Sequence, residues 1–413
     1  MSFITKILDF SKDSPIVYPL LVLYQFILIF FRFVDFMWPK EDNLLVFSGQ
    51  AGQKLSGNSK YLFQKFIEHY SDEFQTVWIT RNQSLVESKY SERSKNCRAV
   101  YQYSLDGILT LLRARVIFYV MGGADIPFVA FSQKTITIQL WHGVPIKRIG
   151  VTQKLESNKR FSFARFLETP QFTYWISSSA IDRNSTALCS GLPIDRVVIT
   201  GYPRNDYLVE QKKAPSSEIL VRFPYLQKKI ILYAPTWRER AKTRFFPFDD
   251  FCLGEIKAFL ETNDAYLLLR SHRMDDISAR VEKNSDGPLT GDRVIAATSD
   301  VFEDVQELLP FVDILISDYS SIWVDYLLLD RPLIFVPYDL ESYENDRGLL
   351  YDYYQITPGP KISTNKELIE AMQEYIHNPE KDSEKRACIR EIFHKYEDGL
   401  SYMRIYEIIK RCK

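Results

Sequence analysis

Two histidines in this chain leave apolar runs abruptly. His142 follows Ile136-Thr137-Ile138-Gln139-Leu140-Trp141 and precedes Gly143, Val144 and Pro145. His272 follows the run from Ala265 to Leu269 through Arg270 and Ser271, and sits beside Arg273. An imidazole at the carboxyl end of a strand can take a proton from a hydroxyl near neutral pH. The plainer alternative is a structural histidine bonded to a loop carbonyl. One such residue from each half of the chain would face the other across a cleft. A third signal is Ser317-Asp318-Tyr319-Ser320-Ser321, between the run Val312–Ile316 and a helical pattern from Ile322. Hydroxyls and a carboxylate at a helix start cap exposed N–H groups, and such ends also receive phosphates. Thr236 and Arg238 leave another apolar run, and a guanidinium fork suits phosphate. An ion pair with Glu239 is the alternative for Arg238.

Alternating strands and helices must position these residues. The sequence predicts strands at Leu44–Ser48, Thr76–Thr80, Arg98–Tyr101, Val116–Val120, Thr135–Trp141, Thr173–Ser177 and Val197–Thr200. The polar stretch Gln211–Glu218 reads as a linker. The alternation restarts at Lys229–Ala234, Ala265–Arg270, Arg293–Ala296, Val312–Ser317 and Pro332–Val336. Helices are expected between strands, for example at Ser59–Tyr70, Ser104–Arg113 and Phe251–Thr262, and through the tail to Arg411. The pattern is α/β, with two tandem domains built on parallel sheets. Ligands bind beyond the carboxyl ends of such strands, so the site belongs in the cleft between the domains.

Composition narrows the function. Lys+Arg (52) and Asp+Glu (53) nearly cancel over 413 residues, which argues against a nucleic-acid binder that works by bulk charge. The five cysteines are scattered and form no CxxC pair, which fits a reducing compartment. No metal-ligand spacing can be read among the five histidines. Residues from Ile16 to Phe31 are apolar apart from Gln25, slightly short of the ~20 residues of a full span. They read as a marginal anchor, a helix in the bilayer interface, or a buried packing helix; membrane association is the expectation. Basic and aromatic residues alternate between Lys147 and Gln171, as on an anionic membrane surface or a solvated helix with an inward aromatic face.

The motifs WHGVPIK, TGYPRND, LYAPTWR, the strand-end RSH, and SDYSSIWVDYLLLDRPLIFVPYDLESY followed by RG stand in one order. From about Arg115 to Lys395 the chain resembles the CDP-glycerol:poly(glycerophosphate) glycerophosphotransferases of teichoic acid and capsule synthesis. The resemblance implies a GT-B fold, with two Rossmann-like domains facing a central cleft. It implies transfer of glycerol phosphate from CDP-glycerol to a hydroxyl of a polyprenyl-diphosphate-linked saccharide, releasing CMP, with no cofactor. It ties His142 and His272 to catalysis. Two positions depart from the family pattern: Arg273 stands where proline is common, and Val144 where threonine is common.

The expected domains are a membrane-associating segment (1–40), an acceptor domain (41–210), a CDP-glycerol-binding domain (219–395) and a C-terminal helix (396–413). The expected substrate contacts are Gly143, Thr236, Arg238, Arg270, Ser317, Asp318, Ser320, Ser321 and Asp325. The expected location is the cytoplasmic face of the cell membrane, peripheral or monotopic. The alternatives are a CDP-ribitol-using transferase, a nucleotide-sugar GT-B enzyme, and a non-catalytic membrane scaffold.

Overall fold

A computed structural model describes residues 17–87, 96–126, 130–153, 173–213, 216–236, 238, 244–270 and 290–412. Runs such as Leu44-Leu45-Val46-Phe47 have no polar alternation, because both faces of their sheet are covered. They form β1 (Glu41–Phe47), β2 (Gln75–Thr80), β3 (Cys97–Tyr101), β4 (Ala114–Tyr119), β5 (Ile136–Gln139), β6 (Tyr174–Ser177) and β7 (Val197–Ile199). These seven pair in the order β3-β2-β1-β4-β5-β6-β7, and all neighbours run parallel. A second parallel sheet holds β8 (Lys229–Tyr233), β9 (Ala265–Leu269), β10 (Val294–Ala296), β11 (Ile314–Ser317) and β12 (Leu333–Phe335). Its order is β10-β9-β8-β11-β12. Each sheet reverses direction of travel beside its first strand, between β1 and β4 and between β8 and β11. Those reversals are the crevices where α/β sheets bind ligands.

Helices cover both faces. α1 (Val17–Met37) precedes the first sheet; α2 (Gly57–Tyr70), α3 (Leu105–Arg113), α4 (Ala180–Ser190) and α5 (Pro203–Lys213) flank it. α2 buries Leu62, Phe63 and Phe66 against the strand ring Phe47, which stacks on Phe118 at 4.5 Å between centroids. The second lobe carries α6 (Leu253–Thr262), the short α7 (Ile322–Tyr326), α8 (Asn365–His377) and α9 (Ser383–Phe393). α10 (Ser401–Arg411) crosses back to the first lobe, where Tyr406 and Lys410 bond Glu73. The polar stretch read as a linker is helical in its first three residues, because α5 continues through Lys213.

Among the described residues, no helix is long and apolar enough to cross a membrane. α1 is instead docked at its carboxyl end. The buried Asp35 carboxylate accepts from Ser132 N (2.8 Å), Ser132 Oγ (2.7 Å) and Thr135 Oγ1, and pairs with Lys40. Phe26, Ile29, Phe30, Phe33 and Phe36 recur along one side of α1 and are 50–65% exposed, with Lys134 lying over the Phe36 ring.

Candidate active site between the two sheets

β5 ends at the second candidate crevice wall, one strand from the reversal of the first sheet. Beyond it Trp141 takes a left-handed backbone (φ 51°) and Gly143 a φ of 120°. This sharp turn throws His142 out of the sheet. Asn58, fully buried at the start of α2, donates from Nδ2 to the carbonyls of Leu140 (2.8 Å) and Trp141 (2.9 Å). The Trp141 ring lies 4.0 Å from the imidazole. A Cβ at Gly143 would overlap Arg204 Nη2, so only glycine lets the guanidinium pack under the turn. The His142 side chain opens to solvent but sits deep among protein atoms. That burial, with the cations Arg204 and Lys147, pushes its pKa down to about 3. The imidazole is therefore neutral near pH 7, the form that accepts a proton.

The opposite wall is the reversal of the second sheet. Asp318, after β11, accepts from Thr236 N (2.7 Å) and Thr236 Oγ1 (2.6 Å) after β8, and from Tyr319 N (2.6 Å). Its other oxygen takes Arg238 Nη2 at 2.9 Å. Arg238 also grips Asp339 through Nε and Nη2, both at 2.9 Å, and donates to Thr236 O. The rings of Tyr319, Tyr338 and Tyr343 surround its guanidinium. Two carboxylates raise its pKa further despite burial. The expected substrate contacts Arg238, Thr236 and Asp318 are drawn into one network. All three are buried and hold one another, and so build the turn. Ser317 is likewise buried and donates to Ala234 O. Ser320 and Ser321 are the half-buried members of the run, with hydroxyls at the start of α7.

Two further expected contacts are also engaged internally. Arg270 donates from Nη1 to the carbonyls of Ala297 and Phe302. Asp325 is buried, pairs with Arg204 at 2.5 Å and accepts from Gln306 at 2.9 Å. Asp325 thereby forms a tie between the lobes. His272 lies outside the described residues, as do Arg273 and most of the basic–aromatic stretch. Among the described residues, no three His, Cys, Asp or Glu side chains could hold a metal ion.

The structure links the His142–Gly143 turn to α7 of the second lobe through Arg204. Arg204 packs under Gly143 and pairs with Asp325, one helical turn beyond Ser321. The exit of the His142 turn is also stitched to the second lobe. Arg148 N donates to Gly348 O, and Leu350 N donates to Ile146 O, both at 2.9 Å. Asn58 and Arg204 were not read as site residues from the sequence. Arg204 stands inside the TGYPRND motif, which could have drawn attention to it; Asn58 has no such signal.

A family profile described as CDP-glycerol:poly(glycerophosphate) glycerophosphotransferase matches residues 29–411. A teichoic acid glycerol-phosphate transferase of Staphylococcus aureus is 28% identical over 378 residues, covering 89% of this chain and 92% of its own. A teichoic acid poly(glycerol phosphate) polymerase of Bacillus spizizenii is 29% identical, covering 83% and 86%. Ribitol-phosphate polymerases also match. The solved wall teichoic acid polymerase TagF superposes with a TM-score of 0.72 at 22% identity, covering 92% of each chain. That likeness gives the fold, and the profile gives the family: the chain belongs to the CDP-glycerol:poly(glycerophosphate) glycerophosphotransferases.

Proposed function

We propose that this protein moves glycerol phosphate from CDP-glycerol to a hydroxyl of a polyprenyl-diphosphate-linked saccharide, with His142 as general base. The acceptor oxygen attacks the glycerol-bearing phosphorus. The bond from that phosphorus to the oxygen bridging to CMP breaks, and CMP leaves with the electron pair. The hydroxyl proton passes to His142. The negative charge of the diphosphate and of CMP needs donors. The Ser320 and Ser321 hydroxyls face the task from the second lobe, and His272 is proposed to assist. Burial, and after it the cations Arg204 and Lys147, lowers the His142 pKa. A bound diphosphate offsets those cations, so donor binding raises the proton affinity of the base where transfer occurs.

The observation that carries this reading is the meeting of the two turns at Arg204. That link supports a reading in which the imidazole of one lobe works with the hydroxyls of the other. The exposed aromatic side of α1 supports a protein lying on the cytoplasmic face of the membrane, where a lipid-linked acceptor is found. Release of CMP from CDP-glycerol with a prenyl-diphosphate disaccharide tests the function. His142→Ala should abolish release and keep CDP-glycerol binding. CDP-ribitol run in parallel reads donor choice. Full turnover in the alanine variant sinks the assignment of the base.

A further inference from the structure

The His142 turn is held from behind by a continuous set of groups. Asn58 Nδ2 bonds the two carbonyls that precede the imidazole, and Asn58 Oδ1 accepts from Arg204 N at 3.2 Å. The Arg204 guanidinium then fills the space under Gly143 and reaches Asp325 on α7 of the opposite lobe. Gln306, from the short helix Val305–Leu308, steadies the same carboxylate oxygen. None of these side chains is open to the cleft as His142 is: Asn58 and Asp325 are buried, and the Arg204 side chain is 12% exposed.

We propose that Asn58 and Arg204 are positioning residues for His142: Asn58 fixes the backbone of its turn, and Arg204 makes the placement of the imidazole depend on docking of the second lobe through Asp325. This rests on His142 being the base. Two features of the network support it. Among the described residues, Arg204 Nε and Asp325 Oδ1 are buried and find no hydrogen-bond partner, so the ion pair is an incomplete one. Such a pair is poorly explained by stability alone, and better by specifying an arrangement. Second, the charged groups facing the His142 turn are Arg204 from α5, Lys147 beyond β5 and, behind Arg204, Asp325 from α7. Arg204 thus acts on both the position and the proton affinity of the ring.

The test uses full-length protein labelled with [13C]histidine, the His142 signal being assigned by its absence in His142→Ala. In the wild type the signal should stay that of a neutral ring down to about pH 5. In Arg204→Gln the loss of a facing cation should move its titration upward by at least about half a unit. Arg204→Lys keeps the charge but not the fork. It should leave the titration near wild type and lower kcat for CMP release about 10- to 100-fold through misplacement. CDP-glycerol affinity should stay within about threefold in both. Asn58→Ser should lower kcat with the affinity unchanged. Where Arg204→Gln does not fold, Asp325→Asn reads the same network: it frees Arg204 from its counter-charge, and should lower both the titration and kcat.

An unchanged titration with unchanged kcat overturns the proposal. So does a loss of CDP-glycerol affinity beyond about tenfold in Arg204→Lys, which would make Arg204 a substrate contact. A wild-type chain that releases no CMP while its His142 titration answers to Arg204 sinks the base assignment alone, and the two failures are thereby told apart.

Discussion

Arg238 shows how one chemistry serves two ends. Its planar fork suits phosphate, and in this fold the same fork holds Asp318 and Asp339 at 2.9 Å each. Removing it in Arg238→Ala leaves the buried Asp318 without its counter-charge. That should cost about 3–5 kcal/mol of stability, read by urea unfolding of the intact chain. Arg238→Lys should recover little of it, because a point charge cannot bridge both carboxylates. Gly143 gives the opposite case. Gly143→Ala meets both an unfavourable φ and the Arg204 guanidinium. Its effect should fall on CMP release, at least about tenfold, rather than on the unfolding midpoint. The two variants separate a residue that holds the turn after β11 from one that shapes the turn of His142.

Elements were legible in proportion to how much of their pattern is local. The strands are short apolar runs, and each expected position is a strand in the fold. α4 and α5 are not legible from periodicity, because AIDRNSTALCS and PRNDYLVEQKK carry few apolar residues in helical register. Their ends supply the signal instead. Ser179 caps α4, which Gly191 ends in the left-handed region, and Pro203 opens α5. His142 was legible because a histidine leaving a strand is a local feature. Asn58 was not, since the carbonyls it bonds lie 82 and 83 residues away. The Asp318 network was hidden for the same reason, as its partner Thr236 is 82 residues off. The first sheet repeats the device: Asp125, after β4, accepts from Ala51 N after β1 at 2.8 Å. α1 gives the prediction at this scale. Phe30→Glu with Phe33→Glu should abolish flotation with anionic vesicles and leave CMP release from a detergent-solubilised acceptor intact. Flotation that survives both changes removes α1 as the membrane contact.

At the scale of the whole molecule, the chain ties its lobes together at both ends of the interface. Near the cleft, Lys60 pairs with Glu307 at 2.5 Å, and Gly57 N donates to Asp304 at 2.8 Å. Far from it, Asp206 of α5 receives Ser401 N (3.1 Å), Ser401 Oγ (2.7 Å) and Tyr402 N (3.3 Å), which pins the start of α10 to the first lobe. A small pocket lies beside this latch, lined in part by Asp206, Asn205, His394 and Arg404. Burial pushes the Asp206 pKa up to about 7, against the hydrogen bonds from Ser401 and Tyr402 that lower it. A folded pKa above the unfolded value of about 3.9 gives a definite sign. The latch contributes most below pH ~4 and loses that contribution as pH rises through about 7. His394, buried with its Nε2 at 2.7 Å from Val324 O, has a lowered pKa and pulls the other way, losing stability as pH falls. The difference between the wild type and Asp206→Asn isolates the latch, because His394 is common to both. The stability advantage of the wild type over the variant should shrink between pH 5 and 8, by on the order of 1–3 kcal/mol. A difference that stays flat over that range would mean the carboxylate is ionised throughout, held so by its three donors, and the junction of α10 with the first lobe would then be insensitive to pH.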